Sequence, residues 1–201
     1  MAILIFIILS YLCGSISSAI LVCKAAGLPD PRTQGSGNPG ATNVLRVGGK
    51  GLAAIVLLLD ALKGLIPVVL AKLFISNELA LGFVAFAAVL GHMYPVFFKF
   101  QGGKGVATYI GVLFGVHWTL GLVFLVTWLV VAAIFRYSSL AALVATVAAP
   151  FSAFWLVGSY YFAPLLLAAA LVLYRHQGNI ARLMNRTEPK IGKKKPEAGS
   201  N

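Results

Sequence analysis

The sequence predicts an all-α polytopic integral membrane protein with seven transmembrane helices, and three observations predict it. Hydrophobic residues make up 60% of the 201-residue chain and charged residues only 10%. The apolar residues gather in six runs, at 2–22, 51–75, 79–98, 106–135, 140–157 and 160–174. A helix rises about 1.5 Å per residue and the hydrocarbon core is about 30 Å thick, so most of these runs suit spanning helices. Third, every Lys and Arg except Lys63 and Lys72 lies between or after the runs. That placement follows the positive-inside rule, so the net charge of +11 does not imply a nucleic-acid partner.

The first run, 2–22, lacks a basic start and is too long for a signal-peptide core, so it reads as a spanning helix. Cys13 and Cys23 are too few for a disulfide framework and read as small packing residues. The basic, glycine-rich segment 24–50 follows, and then the run 51–75. Next comes 79–98, which carries His92 one turn before Pro95. The run 106–135 would reach roughly 45 Å as one helix, half as long again as the core. "GVHWT" at 115–119 interrupts it, which suggests two short helices with a turn near His117. Charge supports the division. A single crossing would leave Arg136 outside and export the basic residues of the C-terminal end. Two crossings put every basic loop on one side, with the N-terminus outside and the C-terminus cytoplasmic. Runs 140–157 and 160–174 complete the bundle. Residues 1–186 read as a single membrane-embedded domain, and 187–201 as a basic, disordered cytoplasmic tail that touches anionic lipid.

This topology puts two glycine-rich loops, "RYSS" at 136–139 and "YRHQGNIARL" at 174–183 on one face. In "GSGNPGATNVLR" (35–46), Gly35, Gly37 and Gly40 let the backbone approach an anion, as Asn38 and Asn43 add polar groups. Ser36 and Thr42 offer hydroxyls, and Arg46 a fixed fork of donors suited to phosphate. "GGKG" (102–105) lacks the Walker spacing, so it gives no support to nucleotide binding. Its Gly102 and Gly103 instead present Lys104 just before a helix, whose first amides favour an anion. Asp60 and Lys63 lie three apart on an otherwise apolar span. Together with His92 they read as support for a neighbouring loop. His176 and Asn179 stand at the cytoplasmic end of the last run. His117 falls on the opposite side and is set aside. There is no H-x₄-D, no G-x-S-x-G and no metal-ligand spacing, so neither a cofactor nor an activated nucleophile is announced. Cations, amides and hydroxyls at a membrane surface suit the binding of two anions side by side.

"GSGNPGATNVLR", "DALKG", "GHMYPVFFKFQGGKGVAT" and "RHQGNIARL" resemble, in order, the motifs of the bacterial acyl-phosphate-dependent glycerol-3-phosphate acyltransferases, the PlsY family. The resemblance runs from "YLCGSISSA" at 11–19 to about Arg186. It implies a seven-helix enzyme of the bacterial inner membrane with a cytoplasm-facing site. The implied reaction moves a fatty acyl group from acyl phosphate to the 1-hydroxyl of glycerol 3-phosphate, giving lysophosphatidic acid for phospholipid synthesis. A soluble acyl-phosphate synthase is the implied partner. By the same resemblance Ser36, Arg46 and Lys104 bind phosphate, and Ser139, His176 and Asn179 surround the glycerol phosphate. The turns at Gly35–Gly40 and Gly102–Gly103 hold the donor.

An acyl phosphate carries its own good leaving group, so the missing triad is no obstacle. Arg46 and Lys104 are expected to be indispensable and His176 partly replaceable. Two rivals remain at this stage. A small anion transporter or channel would need polar groups through the whole depth of the membrane, and commonly shows internal repeats. A lipid-binding subunit without catalysis would not need two anion cradles.

Overall fold

The computed structural model describes residues 1–192, and among them there is no strand. The helices are α1 (Ala2–Gly14), α2 (Ser18–Ala25), α3 (Ala41–Lys72), α4 (Glu78–Met93), α5 (Val106–Val116), α6 (Trp118–Phe135), α7 (Ser138–Leu156), α8 (Phe162–Arg175) and α9 (Gln177–Met184). Short 3₁₀ turns at Val96–Phe98 and Ser159–Tyr161 extend α4 and precede α8. Four helical segments are long and apolar enough to cross a membrane: α3, α4 with its 3₁₀ extension, α6 and α7. The bent pair α1–α2 makes a fifth if it counts as one span, and Val106–Val116 and Ser159–Arg175 are shorter apolar helices. Their outward faces carry bare apolar side chains. Leu58 is 59% exposed, Ile134 66% and Trp155 80%, a surface that lipid covers and water would not.

Three breaks shape the bundle. The run 106–135 divides at His117, as its composition predicts. His117 takes extended backbone angles, and its ring accepts a hydrogen bond from the Thr119 amide at 3.3 Å, capping α6. The run 2–22, expected to be one helix, also breaks: α1 and α2 meet at 40°. The Ser15 hydroxyl donates to the Tyr11 carbonyl at 2.8 Å, and Lys63 Nζ donates to the Ile16 carbonyl at 2.7 Å. A side-chain cation from α3 thus satisfies backbone that the break frees within the membrane. Third, helix begins ten residues before the run 51–75, at Ala41, and kinks at Gly49, whose φ of 83° only glycine adopts without strain. Thr42, Asn43 and Arg46 therefore sit on helical turns and not in an open loop.

α1 and α4 run parallel: Ser10 Oγ donates to the Val84 carbonyl at 2.7 Å and the Tyr11 hydroxyl to the Tyr94 carbonyl at 2.8 Å. α3 and α5 touch backbone to backbone, with no room for a Cβ at Gly64 against Thr108 or at Gly111 against Ala61. A buried core of Val84, Ala88, Leu113, Val116, Leu165 and Val172 fills the centre.

The connections separate into two ends. At one, Lys72 Nζ bonds the Val116 carbonyl, and Phe6 stacks on Phe74 with centroids 5.4 Å apart. At the other, the segments 30–40, 95–105, 136–139 and 175–191 are bonded to one another. Arg32 Nη1 donates to the Phe98 carbonyl at 3.3 Å, and Arg136 Nη2 to the Ile191 carbonyl at 3.1 Å. This second bond shows that the start of the expected tail is folded back onto the helices. Glu188 finds polar partners on α7 and α9, and Ile191 on Arg136 in the turn between α6 and α7. The rest of the expected tail, from 193, lies outside the described residues.

Candidate active site

The first cradle, 35–46, is folded by a residue that sequence reading had placed against the ligand. Asn43 is 1% exposed. Its Oδ1 accepts from the Ser36 amide at 2.8 Å, and its Nδ2 donates to the carbonyls of Pro31 at 2.7 Å and Gln34 at 2.9 Å. Both amide protons and the carbonyl oxygen are engaged, so Asn43 builds the cradle instead of lining it. Gly35 and Gly37 take the left-handed backbone that the turn needs. Around them Ser36, Thr42 and Arg46 are exposed, and Asn38 and Gly40 half-buried.

The second turn lies directly beneath. A Cβ on Gly103 would meet the Pro39 carbonyl of the first cradle on one side and His92 Nε2 on the other. The Gly103 amide donates to the His92 carbonyl at 3.2 Å. Arg175, from the last turn of α8, grips the same turn with two prongs, Nη2 to the Gly102 carbonyl at 2.6 Å and Nε to the Gly103 carbonyl at 3.1 Å. Its guanidinium also lies 5.7 Å from the centroid of the Tyr94 ring. Gly102 and Gly103 are therefore a clamped hinge that aims Lys104, and the Gly103 amide is not available to a ligand.

Lys104 Nζ donates to Asn179 Oδ1 at 2.5 Å. Asn179 Nδ2 donates to Glu188 Oε1 at 2.6 Å, the Ser139 hydroxyl donates to that same oxygen at 2.6 Å, and Arg182 Nε to Glu188 Oε2 at 2.7 Å. Burial, reinforced by the positive charges of Arg182, Arg175 and Arg46, pulls the Lys104 pKa below its ordinary value, with Glu188 opposing. Arg46 thus acts in the same field as Lys104. Burial opposes ionisation of Glu188, but hydrogen bonds from Ser139, Asn179 and Arg182 prevail and hold its carboxyl below the usual range.

His176 is buried between α8 and α9, with Nδ1 2.8 Å from the Val172 carbonyl. A carbonyl only accepts, so Nδ1 carries the proton and the neutral ring keeps Nε2 as an acceptor. Burial pushes its pKa down to about 4, aided by Lys104 and opposed by the Val172 bond. Below the turn, Lys63 pairs with Asp60 at 2.7 Å, and His92 Nδ1 lies 3.6 Å from the same carboxylate oxygen. The trio ties the His92–Gly103 contact to α3 and, through Ile16, to the α1–α2 break. No group of three His, Cys, Asp or Glu able to hold a metal ion occurs among the described residues.

The predicted loop residues therefore gather at one end of the bundle, and Asp60, Lys63 and His92 lie buried beneath them. Sequence reading missed two members. Arg175 entered only as the first residue of the motif "RHQGNIARL", although its fork is what two adjacent glycine carbonyls require. Glu188 was assigned to the tail, although an acid two residues after Arg186 and two before Lys190 was a signal worth following.

Comparison with known proteins shows which family the chain resembles. The family profile for glycerol-3-phosphate acyltransferase matches residues 4–186. A glycerol-3-phosphate acyltransferase of Francisella tularensis subsp. tularensis is 57% identical over 188 residues, covering 94% of this chain and 92% of that one. One from Francisella philomiragia is 56% identical with the same coverage. Crystal structures of PlsY, described as an integral membrane glycerol 3-phosphate acyltransferase, superpose over 96% of both chains. The glycerol 3-phosphate form has a TM-score of 0.90 at 42% identity, and the lysophosphatidic acid form 0.89 at 41%. With its glycine cradles, its single field of cations and its apolar helices, this multi-pass membrane protein belongs to the PlsY family of glycerol-3-phosphate acyltransferases.

Proposed function

We propose that the enzyme takes its acyl group from acyl phosphate, delivers it to the 1-hydroxyl of sn-glycerol 3-phosphate, and releases lysophosphatidic acid and inorganic phosphate. The observation that carries this reading is that the charges of Arg46, Arg175 and Arg182 all bear on Lys104 beside the two glycine turns, with no activated nucleophile among the described residues. Two phosphate-bearing reactants need that charge. The anhydride donor needs no enzyme nucleophile.

The hydroxyl oxygen attacks the acyl carbonyl carbon, the carbon–phosphate oxygen bond breaks, and the proton leaves with the phosphate. Arg46 and Ser36 hold the donor's phosphate above the first cradle. Lys104 faces the charge that develops on the carbonyl oxygen, a task worth roughly 10²–10³ in rate. Ser139, His176 and Asn179 surround the glycerol phosphate. Asp60, Lys63 and His92 brace the second turn from below. Holding both head groups in attack geometry supplies much of the rest, up to about 7–11 kcal/mol. The acyl chain lies along the apolar groove between α1 and α4 lined by Ile7, Ile8, Phe83, Phe86 and Leu90.

The seven apolar segments cross the bacterial inner membrane in alternation, α1–α2 first and α8 last, with the N-terminus outside and the site facing the cytoplasm. The catalytic unit is one domain over residues 1–186, to which Glu188 and Ile191 add a strap. A soluble acyl-phosphate synthase supplies the donor from that side. An anion pathway is disfavoured because the deep charges Asp60, Lys63 and His92 face one another. The deciding assay gives purified protein glycerol 3-phosphate with palmitoyl phosphate, and separately with palmitoyl-CoA. Lysophosphatidic acid from the first alone supports the proposal. Product from the thioester alone, or from neither, overturns it.

A further inference from the structure

Glu188 lies beyond the stretch that matches the family profile, yet its side chain is only 7% exposed and it joins three site residues. What it does to them follows from counting protons. A serine hydroxyl has one proton to donate. Ser139 gives it to Glu188 Oε1, so its oxygen offers only lone pairs to any other partner. His176 likewise gives its Nδ1 proton to Val172 and keeps Nε2 as an acceptor. Asn179 cannot turn its amide over, because that would set its oxygen against the carboxylate and its NH₂ against the Lys104 ammonium.

This group of side chains is therefore polarised. Lys104, Arg46 and Arg182 only donate, whereas Ser139 and His176 only accept. Glycerol 3-phosphate has the matching polarity: its phosphate needs donors and its two hydroxyls need acceptors. An acceptor-only Ser139 would repel a phosphate oxygen but suits a hydroxyl. Glu188 itself is held in place from both sides. Thr187 N donates to the Arg182 carbonyl at 2.8 Å, and Ile191 N to the Arg136 carbonyl at 2.7 Å.

Resting on the acyltransferase reading above, we infer that Glu188 is a positioning and specificity residue. By taking the proton of Ser139 it makes that side chain the acceptor for the substrate's second hydroxyl, and so selects glycerol 3-phosphate over an acceptor that lacks it. Its ionised state supports this role, since the three hydrogen bonds keep it a carboxylate.

The test compares glycerol 3-phosphate with 3-hydroxypropyl phosphate, which has no second hydroxyl, using palmitoyl phosphate and full-length enzyme in detergent. Wild type should prefer glycerol 3-phosphate by about tenfold or more in kcat/KM. Glu188→Gln and Ser139→Ala should each bring that ratio to within about threefold of one, and Glu188→Asp should restore part of it. If Glu188→Gln does not fold, the ratio in Ser139→Ala decides. Loss of rate with the preference intact in both variants, or no preference in wild type, overturns the inference. Wild type that forms no lysophosphatidic acid from acyl phosphate overturns the parent reading instead.

Discussion

Lys104 and Asn179, 75 residues apart in the chain, meet at 2.5 Å, and their contact joins the second glycine turn to the C-terminal helix α9. Both partners are held: Arg175 fixes the turn that carries Lys104, and Glu188 fixes the amide that receives it. A flexible lysine becomes an aimed charge.

Replacing Lys104 should therefore abolish chemistry without abolishing the fold. We expect Lys104→Gln to lower kcat by about 10²–10³, with the thermal midpoint of the detergent-solubilised protein little changed. A variant with wild-type turnover would show that Lys104 is not aimed at the reacting carbonyl.

Arg175 tests the turn behind it. Lysine keeps the charge but cannot reach two carbonyls as a fork. Arg175→Lys should lose about tenfold or more in kcat/KM, because a small misplacement of catalytic groups is costly in rate. Equal activity in the two forms would reduce Arg175 to a surface charge.

His176 makes a prediction about pH. Its folded pKa of about 4 lies below the ordinary value of 6.5, so the neutral ring persists well into acid. Comparing wild type with His176→Asn cancels titration of the substrates. Their activity ratio should stay flat from pH 8 down to about pH 5, with the variant slower by about tenfold. For stability the sign is opposite to that of a salt-bridged histidine. Between pH 6.5 and 4 the unfolded chain binds the proton more readily, so the His176 contribution falls as pH falls through that window. A ratio that inflects near 6.5 would mean an ordinary, solvated imidazole.

The buried pair Asp60–Lys63 is a brace, and braces fail asymmetrically. Asp60→Leu leaves an uncompensated ammonium and should destabilise by about 3–5 kcal/mol. Asp60→Leu with Lys63→Met removes both charges and should recover a good part of it, measured by thermal unfolding in detergent. A double variant worse than the single one would contradict the idea that the penalty is an unpaired charge.

The groove between α1 and α4 gives the last prediction. Leu90→Trp narrows its lining and should reduce turnover of a palmitoyl donor several-fold more than that of an octanoyl donor, because only the longer chain needs its full length. Equal losses for both donors would place the acyl chain elsewhere.

Hydropathy and charge alone determined the helical membrane class and the division at His117. These are written locally. Bilayer thickness sets run length, and the cost of moving charge across lipid sets where Lys and Arg lie. Motifs such as "GSGNPGATNVLR" and "GGKG" are contiguous, so their chemistry is readable without a fold. Only the tertiary structure decided which polar groups remain free to act. Asn43, in the middle of a motif, gives all its hydrogen bonds to the loop, and the Gly103 amide goes to His92. Arg175, at the head of the motif "RHQGNIARL", and Glu188, beyond it, set the aim of Lys104 and Asn179. The physical reason is that a hydrogen-bonding group has few protons and lone pairs, and long-range contacts determine where they go. The breaks at Ser15–Ser17 and Gly49 escaped the sequence for a related reason. A helix interrupted in lipid survives only where a distant side chain such as Lys63 satisfies the freed carbonyl.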